Sequence, residues 1–244
     1  MKFSQHYSIK WHDTDANRQV RPSALVTYLQ ETANEHLIHI GISLDDLRDQ
    51  YGLAFILGSI SVRAYKPLFS GDKIEVQTWT SGERGFRHHR CFRVLRDGEI
   101  VAEATTIWAL INLQNGNLVK VEDMPYHIEP EELITLSDLP PRLKMPQLST
   151  MKQVGERRIA YSDIDYNGHM NNTRYPDMLC DFVPDMCNHR VTGMVLSYRK
   201  EAAFGNTLCV FSTKNENNYL ICTVDEEGNI CTEALLQLAP VSSN

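Results

Sequence analysis

Apolar residues alternate with polar ones at the start of the chain, where Tyr7, Ile9 and Trp11 mark a strand over Phe3–Trp11. The period then changes. From Pro22 to Ile40, Leu25, Tyr28, Leu29, Ala33, Leu37 and Ile40 recur at three- and four-residue steps, which predicts a helix with one apolar face. Pro22 suits a first helical position and Gly41 a stop. Strand-like runs follow at Leu53–Tyr65, Lys73–Thr80, Phe86–Arg96 and Ile100–Leu113. Short turns such as Arg96-Asp97-Gly98 separate consecutive runs, so antiparallel neighbours are expected. The same order then returns. A strand is expected near Gln153–Ala160 and a helix near Asn172–Phe182, followed by strands at Val191–Ala203, Thr207–Thr213, Tyr219–Val224 and Ile230–Leu238.

The repetition extends to individual residues. Residues 13–20 read D-T-D-A-N-R-Q-V and residues 163–170 read D-I-D-Y-N-G-H-M. Downstream, Val62-Arg63 aligns with Tyr198-Arg199, Gly71-Asp72 with Gly205-Asn206, and Glu103-Ala104 with Glu233-Ala234. The offset shrinks from 150 through 136 and 134 to 130, as differing loop lengths require. Ordered matches of this kind indicate a tandem duplication. Between the copies, five of the ten prolines fall within residues 125–146 among acidic residues, the composition of a connecting segment. The chain therefore reads as an N-terminal repeat (1–120), a linker (121–150) and a C-terminal repeat (151–244). Each repeat is an α+β unit of one helix and several antiparallel strands. Neither helix can cover a sheet alone, so two units with continuous sheets are expected.

With 24 basic and 31 acidic residues, the chain of 244 has a net charge of −7, which speaks against a nucleic-acid partner. No run is long and apolar enough to span a membrane. The N-terminal residues MKFSQHYSIKW lack the apolar core of a secretory signal, and the six cysteines form no CxxC pairs. Reduced thiols in a cytoplasmic protein are expected, with neither metal nor cofactor.

The loop Asp163–Asn172 carries the candidate chemistry. Asp165, Asn167 and His169 alternate just before a helix start, so an extended backbone would point an acid, an amide and an imidazole to one side, near free N–H groups. Such a set can polarise a carbonyl, orient water and move a proton. Read alone, the loop is equally a capping turn. The earlier copy has Gln19 in place of His169, so only the later loop keeps a group that titrates near neutral pH. A second carboxylate, Glu201, stands in an apolar context beside Ala202 and Ala203, with Tyr65 as its counterpart in the first copy.

The run Asp165-Tyr166-Asn167-Gly168-His169-Met170-Asn171-Asn172-Thr173-Arg174-Tyr175, with Tyr198-Arg199-Lys200-Glu201, resembles the acyl-acyl carrier protein thioesterase family, whose pattern is close to D-x-N-x-H-V-N-N-x-x-Y and then Y-R-x-E-C. The resemblance spans nearly the whole chain. It implies a tandem double hot-dog fold, two antiparallel sheets each wrapping a central helix, and hydrolysis of fatty acyl-acyl carrier protein to free fatty acid and carrier. Asp165, Asn167, His169 and Glu201 match the family's catalytic positions. The family's cysteine after the glutamate is Ala202 here, so that position offers no thiol nucleophile. The resemblance also implies an acyl-chain pocket in the first repeat, for which Leu25, Leu29, Phe55, Ile56, Leu57 and Trp79 are candidates. An acidic carrier protein needs a basic patch, for which Arg84, Arg87, Arg90, Arg157, Arg158, Arg199 and Lys200 are candidates. Acyl-CoA hydrolysis, a hot-dog dehydratase or hydratase, and a non-catalytic acyl-thioester binding protein are the competing readings. A homodimer is left open.

Overall fold

The computed structural model describes residues 2–241, except residues 127, 129, 132–135, 137 and 138, and except the side chains of residues 83 and 84. The first repeat contains β1 (Phe3–Ser8), α1 (Pro22–His39), α2 (Leu44–Asp49), β2 (Leu53–Ala64), β3 (Lys73–Arg84), β4 (Arg87–Arg96), β5 (Glu99–Asn112) and the short β6 (Leu118–Val119). The second contains β7 (Lys152–Arg158), α3 (Tyr175–Cys180), β8 (His189–Tyr198), β9 (Thr207–Asn215), β10 (Asn218–Val224) and β11 (Ile230–Pro240). Between them, 121–150 contains single helical turns at Val121–Asp123 and Leu148–Thr150.

All the strands form one 11-stranded antiparallel sheet in the order β1-β3-β4-β5-β2-β8-β11-β10-β9-β7, with β6 beside β5. That order is a palindrome of equivalent strands. The halves join where β2 meets β8, and the register there runs Ser59↔Ser197, Ser61↔Val195 and Arg63↔Gly193. Ser61 and Val195 are equivalent at an offset of 134, so the pseudo-twofold axis passes between them.

Side-chain alternation decides what each strand buries. On β4, His88, Arg90, Phe92 and Val94 are all buried. On β3, Ile74, Val76, Thr78 and Thr80 do the same. The inner faces of both halves form one core, in which Leu29, Phe92, Ile159, Leu179, Leu196 and Leu236 are almost fully enclosed. Each such side chain contributes roughly 1.5–3 kcal/mol of burial.

α1 follows its apolar stripe, with Leu25, Val26, Leu29, Ala33 and Leu37 buried. It starts at Pro22 and stops at Gly41, whose φ of +81° is cheap only for glycine. Asp177 of α3 caps its first turn, accepting from Ser23 N at 2.9 Å and Ser23 Oγ at 2.5 Å. A carboxylate there complements the helix dipole.

Several elements depart from the expectations: β8 stops at Tyr198 and not at Ala203, β3 runs on to Arg84, and β6 is new. β1 ends at Ser8, and Trp11 belongs to a single turn at Trp11–Asp13. α2 is new: six residues are too few to show helical periodicity, although Ser43 caps it by accepting from Asp46 N. The second helix is shorter than Asn172–Phe182. A 3-10 turn occupies Asn172–Arg174 and only Tyr175–Cys180 is α-helical. Pro176 sits in its first turn, where no intrahelical bond is lost.

Candidate active site

The loop at 163–172 is tied down at both ends. Asp163 is buried and accepts two bonds from Arg157 Nη2, at 2.6 and 2.8 Å, and one from Ala160 N at 2.8 Å. Its carbonyl accepts from Asn171 N at 2.9 Å, and Ile164 bridges Met170. Between these points the chain makes a tight turn. Asp165 N donates to His169 O at 3.0 Å, Gly168 N donates to Asp165 O at 2.9 Å, and Asp165 Oδ1 accepts from Asn167 N at 2.8 Å. The loop is therefore not extended, and Asp165, Asn167 and His169 do not share one side by simple alternation. Gly168 takes the left-handed position with φ of +81°.

The exit of the loop is zipped to the segment after β8. Met170 N donates to Ala202 O at 2.8 Å, and His169 bridges Ala203. This pairing sets His169 Nδ1 3.1 Å from Glu201 Oε2. Glu201 is not sequestered as its apolar neighbours suggested. It lies beyond the end of β8, and its side chain is 63% exposed. Its counterpart also differs. Tyr65 N and Lys66 N bond Val101 O just as Arg199 N and Lys200 N bond Cys231 O, so Glu201 corresponds to Pro67 and not Tyr65. The N–H groups beyond the loop are partly committed, because Asn171 Oδ1 accepts from both Thr173 N and Thr173 Oγ1.

A cavity of about 190 Å³ opens beside the turn. Asp165, Tyr166, Asn167, Asn171 and Asn172 form one wall, and the first repeat forms most of the rest together with Ile128 of the linker; Leu37, Leu44, Leu47, Leu53 and Phe55 are among its apolar contributors. Neither His169 nor Glu201 lines this space. α2 completes the rim: Arg48 Nη1 donates to Asn167 Oδ1 at 2.9 Å and its guanidinium stands 5.5 Å from the Tyr166 ring centroid. Arg48 escaped the sequence reading because α2 did. The Ser43 cap followed by Asp45 and Asp46 was the available signal for it.

Of the chain-pocket candidates, Phe55 lines this cavity. Leu25 lines a different one, of about 60 Å³, beside Asp15 and Gln19. Leu29 and Leu57 are buried and Ile56 is half-buried, none of them lining the larger cavity. Trp79 points to the opposite face of β3 from Thr78 and Thr80, under the Arg93 guanidinium at 5.7 Å.

The basic candidates scatter. Arg90 is buried, because strand alternation turns it inward with Phe92 and Val94, so it is not on the docking surface. Arg157 is spent on Asp163. Arg199 pairs with Glu233 at 2.7 Å, and Lys200 with Asp225 and Glu227 at 2.7 and 3.1 Å. Arg87 and Arg158 are exposed, and the side chain of Arg84 lies outside the described residues. Among the described residues no group of three or more His, Cys, Asp or Glu side chains could hold a metal ion, and no helix is long and apolar enough to cross a membrane.

Residues 1–128 match the acyl-ACP thioesterase N-terminal domain and residues 147–236 the acyl-ACP thioesterase C-terminal domain. A dodecanoyl-acyl-carrier-protein hydrolase of Cinnamomum camphora is 27% identical over 97% of this chain and 64% of its own length. A palmitoyl-acyl carrier protein thioesterase of Gossypium hirsutum is 25% identical over 88% of this chain and 56% of its own. The chain thus spans less than two thirds of the curated relatives it matches. Among solved structures, an acyl-ACP thioesterase from Bacteroides thetaiotaomicron superposes with a TM-score of 0.87 at 21% identity, covering 98% of each chain. The 12:0-ACP thioesterase from Umbellularia californica does so with 0.79 at 20% identity, again over 98% of each. The architecture is therefore the double hot-dog, with its two sheets fused edge to edge. With both domain models matched in order across most of its length, the chain belongs to the acyl-ACP thioesterase family.

Proposed function

We propose that this protein hydrolyses fatty acyl-acyl carrier protein, releasing a free fatty acid and the carrier, in fatty acid biosynthesis. The observation that carries this is the His169–Glu201 contact of 3.1 Å, present in one half only, beside a cavity that Asp165 and Asn167 share with the other half. The acyl chain occupies the cavity and the thioester carbonyl lies at the turn. Glu201 and His169 together take a proton from water as its oxygen attacks the carbonyl carbon. Asn167, held by Arg48, presents its amide to the thioester, and Asp165 fixes the turn through Asn167 N. Collapse of the tetrahedral centre breaks the carbon–sulfur bond, and the proton passes to the departing thiolate. Arg87 and Arg158, both exposed, are available to meet an acidic carrier.

A second route is favoured by one observation: Asp165 lines the cavity and Glu201 does not. In that route Asp165 attacks first and expels the carrier thiolate, giving an acyl-aspartate that water then cleaves at its aspartyl carbonyl. Single-turnover hydrolysis in heavy-oxygen water separates the two. Label confined to the fatty acid supports direct attack, and label in Asp165 supports the anhydride. All six cysteines are unbonded, which fits a reducing compartment such as the cytoplasm.

The test is thiol release from acyl-carrier protein and from acyl-CoA, followed with a thiol reagent. Faster release from the carrier is expected, with D165N and E201Q each reducing it at least about a hundredfold. Equal hydrolysis by wild type and both variants would remove the site assignment.

A further inference from the structure

One wall of the cavity carries a charge that hydrolysis does not use. Arg90, on the inner face of β4, is 6% exposed and lines the same cavity as Asp165 and Asn167. Its Nη1 donates to Thr78 Oγ1 at 3.2 Å and lies 2.9 Å from His36 Nδ1. Burial pulls the guanidinium down to about 10, so it remains charged at neutral pH. Burial and the neighbouring Arg90 push His36 down to about 4, so its imidazole is neutral and Nδ1 can act as the acceptor. Phe3 stacks on the His36 ring at 5.5 Å and fixes its orientation. Among the described residues no carboxylate forms an ion pair with Arg90, and Nη1 is the only one of its side-chain nitrogens with a hydrogen-bond partner.

A buried cation without an opposite charge is costly unless its remaining donors are answered. The neighbouring wall is polar too: Gln30, Asn34 and Thr80 line the cavity with Arg90. A slot for a plain hydrocarbon chain needs none of these groups. A saturated chain would strip water from the guanidinium and return no acceptor. A cavity of about 150 Å³ takes a benzene, so 190 Å³ receives an acyl portion of roughly eight non-hydrogen atoms.

We propose that the acyl group carries an oxygen function along its chain, and that Arg90 receives that oxygen through the donors His36 and Thr78 leave unused. This rests on the thioesterase reading above. The shared chemistry is an acceptor oxygen. A hydroxyl, a keto group and a chain-end carboxylate all supply one, and the carboxylate also neutralises the charge.

The experiment measures kcat/KM for carrier-bound octanoyl, for its mid-chain hydroxyl and keto derivatives, and for a chain of equal length ending in a carboxylate, with wild type, R90M and R90K. Wild type is expected to prefer at least one oxygenated chain over octanoyl by about tenfold or more, chiefly through KM. R90M should erase or invert that ratio, and R90K should keep part of it. Competitive inhibition by the corresponding free acids gives the same ranking without turnover. A wild-type preference for octanoyl overturns the proposal, as does an R90M effect of equal size on every substrate. If R90M does not fold, the wild-type ranking and R90K decide. Thiol release from octanoyl alone would sink this inference and leave the hydrolase standing. Release from none of the four would remove both.

Discussion

The loops at 13–22 and 163–172 have nearly the same backbone and different chemistry. Asp15 N bonds Gln19 O as Asp165 N bonds His169 O, and Arg21 N bonds Asp13 O as Asn171 N bonds Asp163 O. Gln19 bridges Phe69 as His169 bridges Ala203. Each asparagine reaches into the opposite half, Asn17 to Cys187 O at 2.8 Å and Asn167 to Arg48. The differences lie in a few side chains. Gln19 is buried, whereas His169 is partly open and meets Glu201. Pro67 occupies the place of Glu201 and offers neither charge nor proton. Asp15 Oδ1 accepts from both Asn17 N and Gln19 N, whereas the only such bond found for Asp165 Oδ1 among the described residues is from Asn167 N. The cavity that Asp15 and Gln19 line is about 60 Å³, against about 190 Å³ for the one that Asp165 and Asn167 line. The turn is scaffold, reusable in either half. The chemistry depends on what is hung from it and on the space left beside it.

The comparison can be broken most severely at His169. H169Q copies the first loop into the second and is expected to reduce kcat/KM by about a hundredfold to ten-thousandfold, with an unchanged thermal midpoint. A loss below tenfold would mean the imidazole is not what separates the halves. The anchors differ in strength as well. D163A removes the Arg157 pair and the bond from Ala160 N, and should cost about 2–3 kcal/mol in urea unfolding. D13A loses Tyr28 Oη at 2.5 Å and Lys10 N at 3.2 Å, and should cost less, about 1 kcal/mol. Equal losses would contradict the asymmetry. R48A leaves the exposed Asn167 without its partner and should lower kcat/KM only a few-fold, at under about 1 kcal/mol. Placing Q19H and P67E in the H169Q background should restore nothing measurable, since residue 19 is buried and its cavity small. Recovered thiol release would show that side-chain identity alone separates the two loops.

Much of this architecture was legible. Alternation located the main strands and the offsets announced the duplication, because a period of two survives wherever one face is buried. Equivalence near Glu201 was misjudged because the short Val62-Arg63 and Tyr198-Arg199 match suggested an offset of 136. Hydrogen bonding sets 134 there, which a lone Arg could not reveal. α2 was missed because one and a half turns carry no stripe. Trp79 illustrates a different gap: alternation says that it opposes Thr78 and Thr80, but not which face holds the cavity. For Arg90 the signal was present, since it shares a phase with Phe92 and Val94. The neighbouring arginines and histidines made the run read as a surface. His169 and Glu201 were both named from the motifs, yet their contact depends on the 170–202 bond, which joins segments far apart in the chain.

The junction of β2 with β8 has a consequence for how the molecule comes apart. Each of those strands, deprived of the other, would offer a long row of unanswered peptide groups ready to recruit any foreign strand. The two lobes are therefore obligate companions rather than beads on a string. A nick within 121–150 should yield fragments that co-purify and still release thiol, while either fragment produced by itself should aggregate.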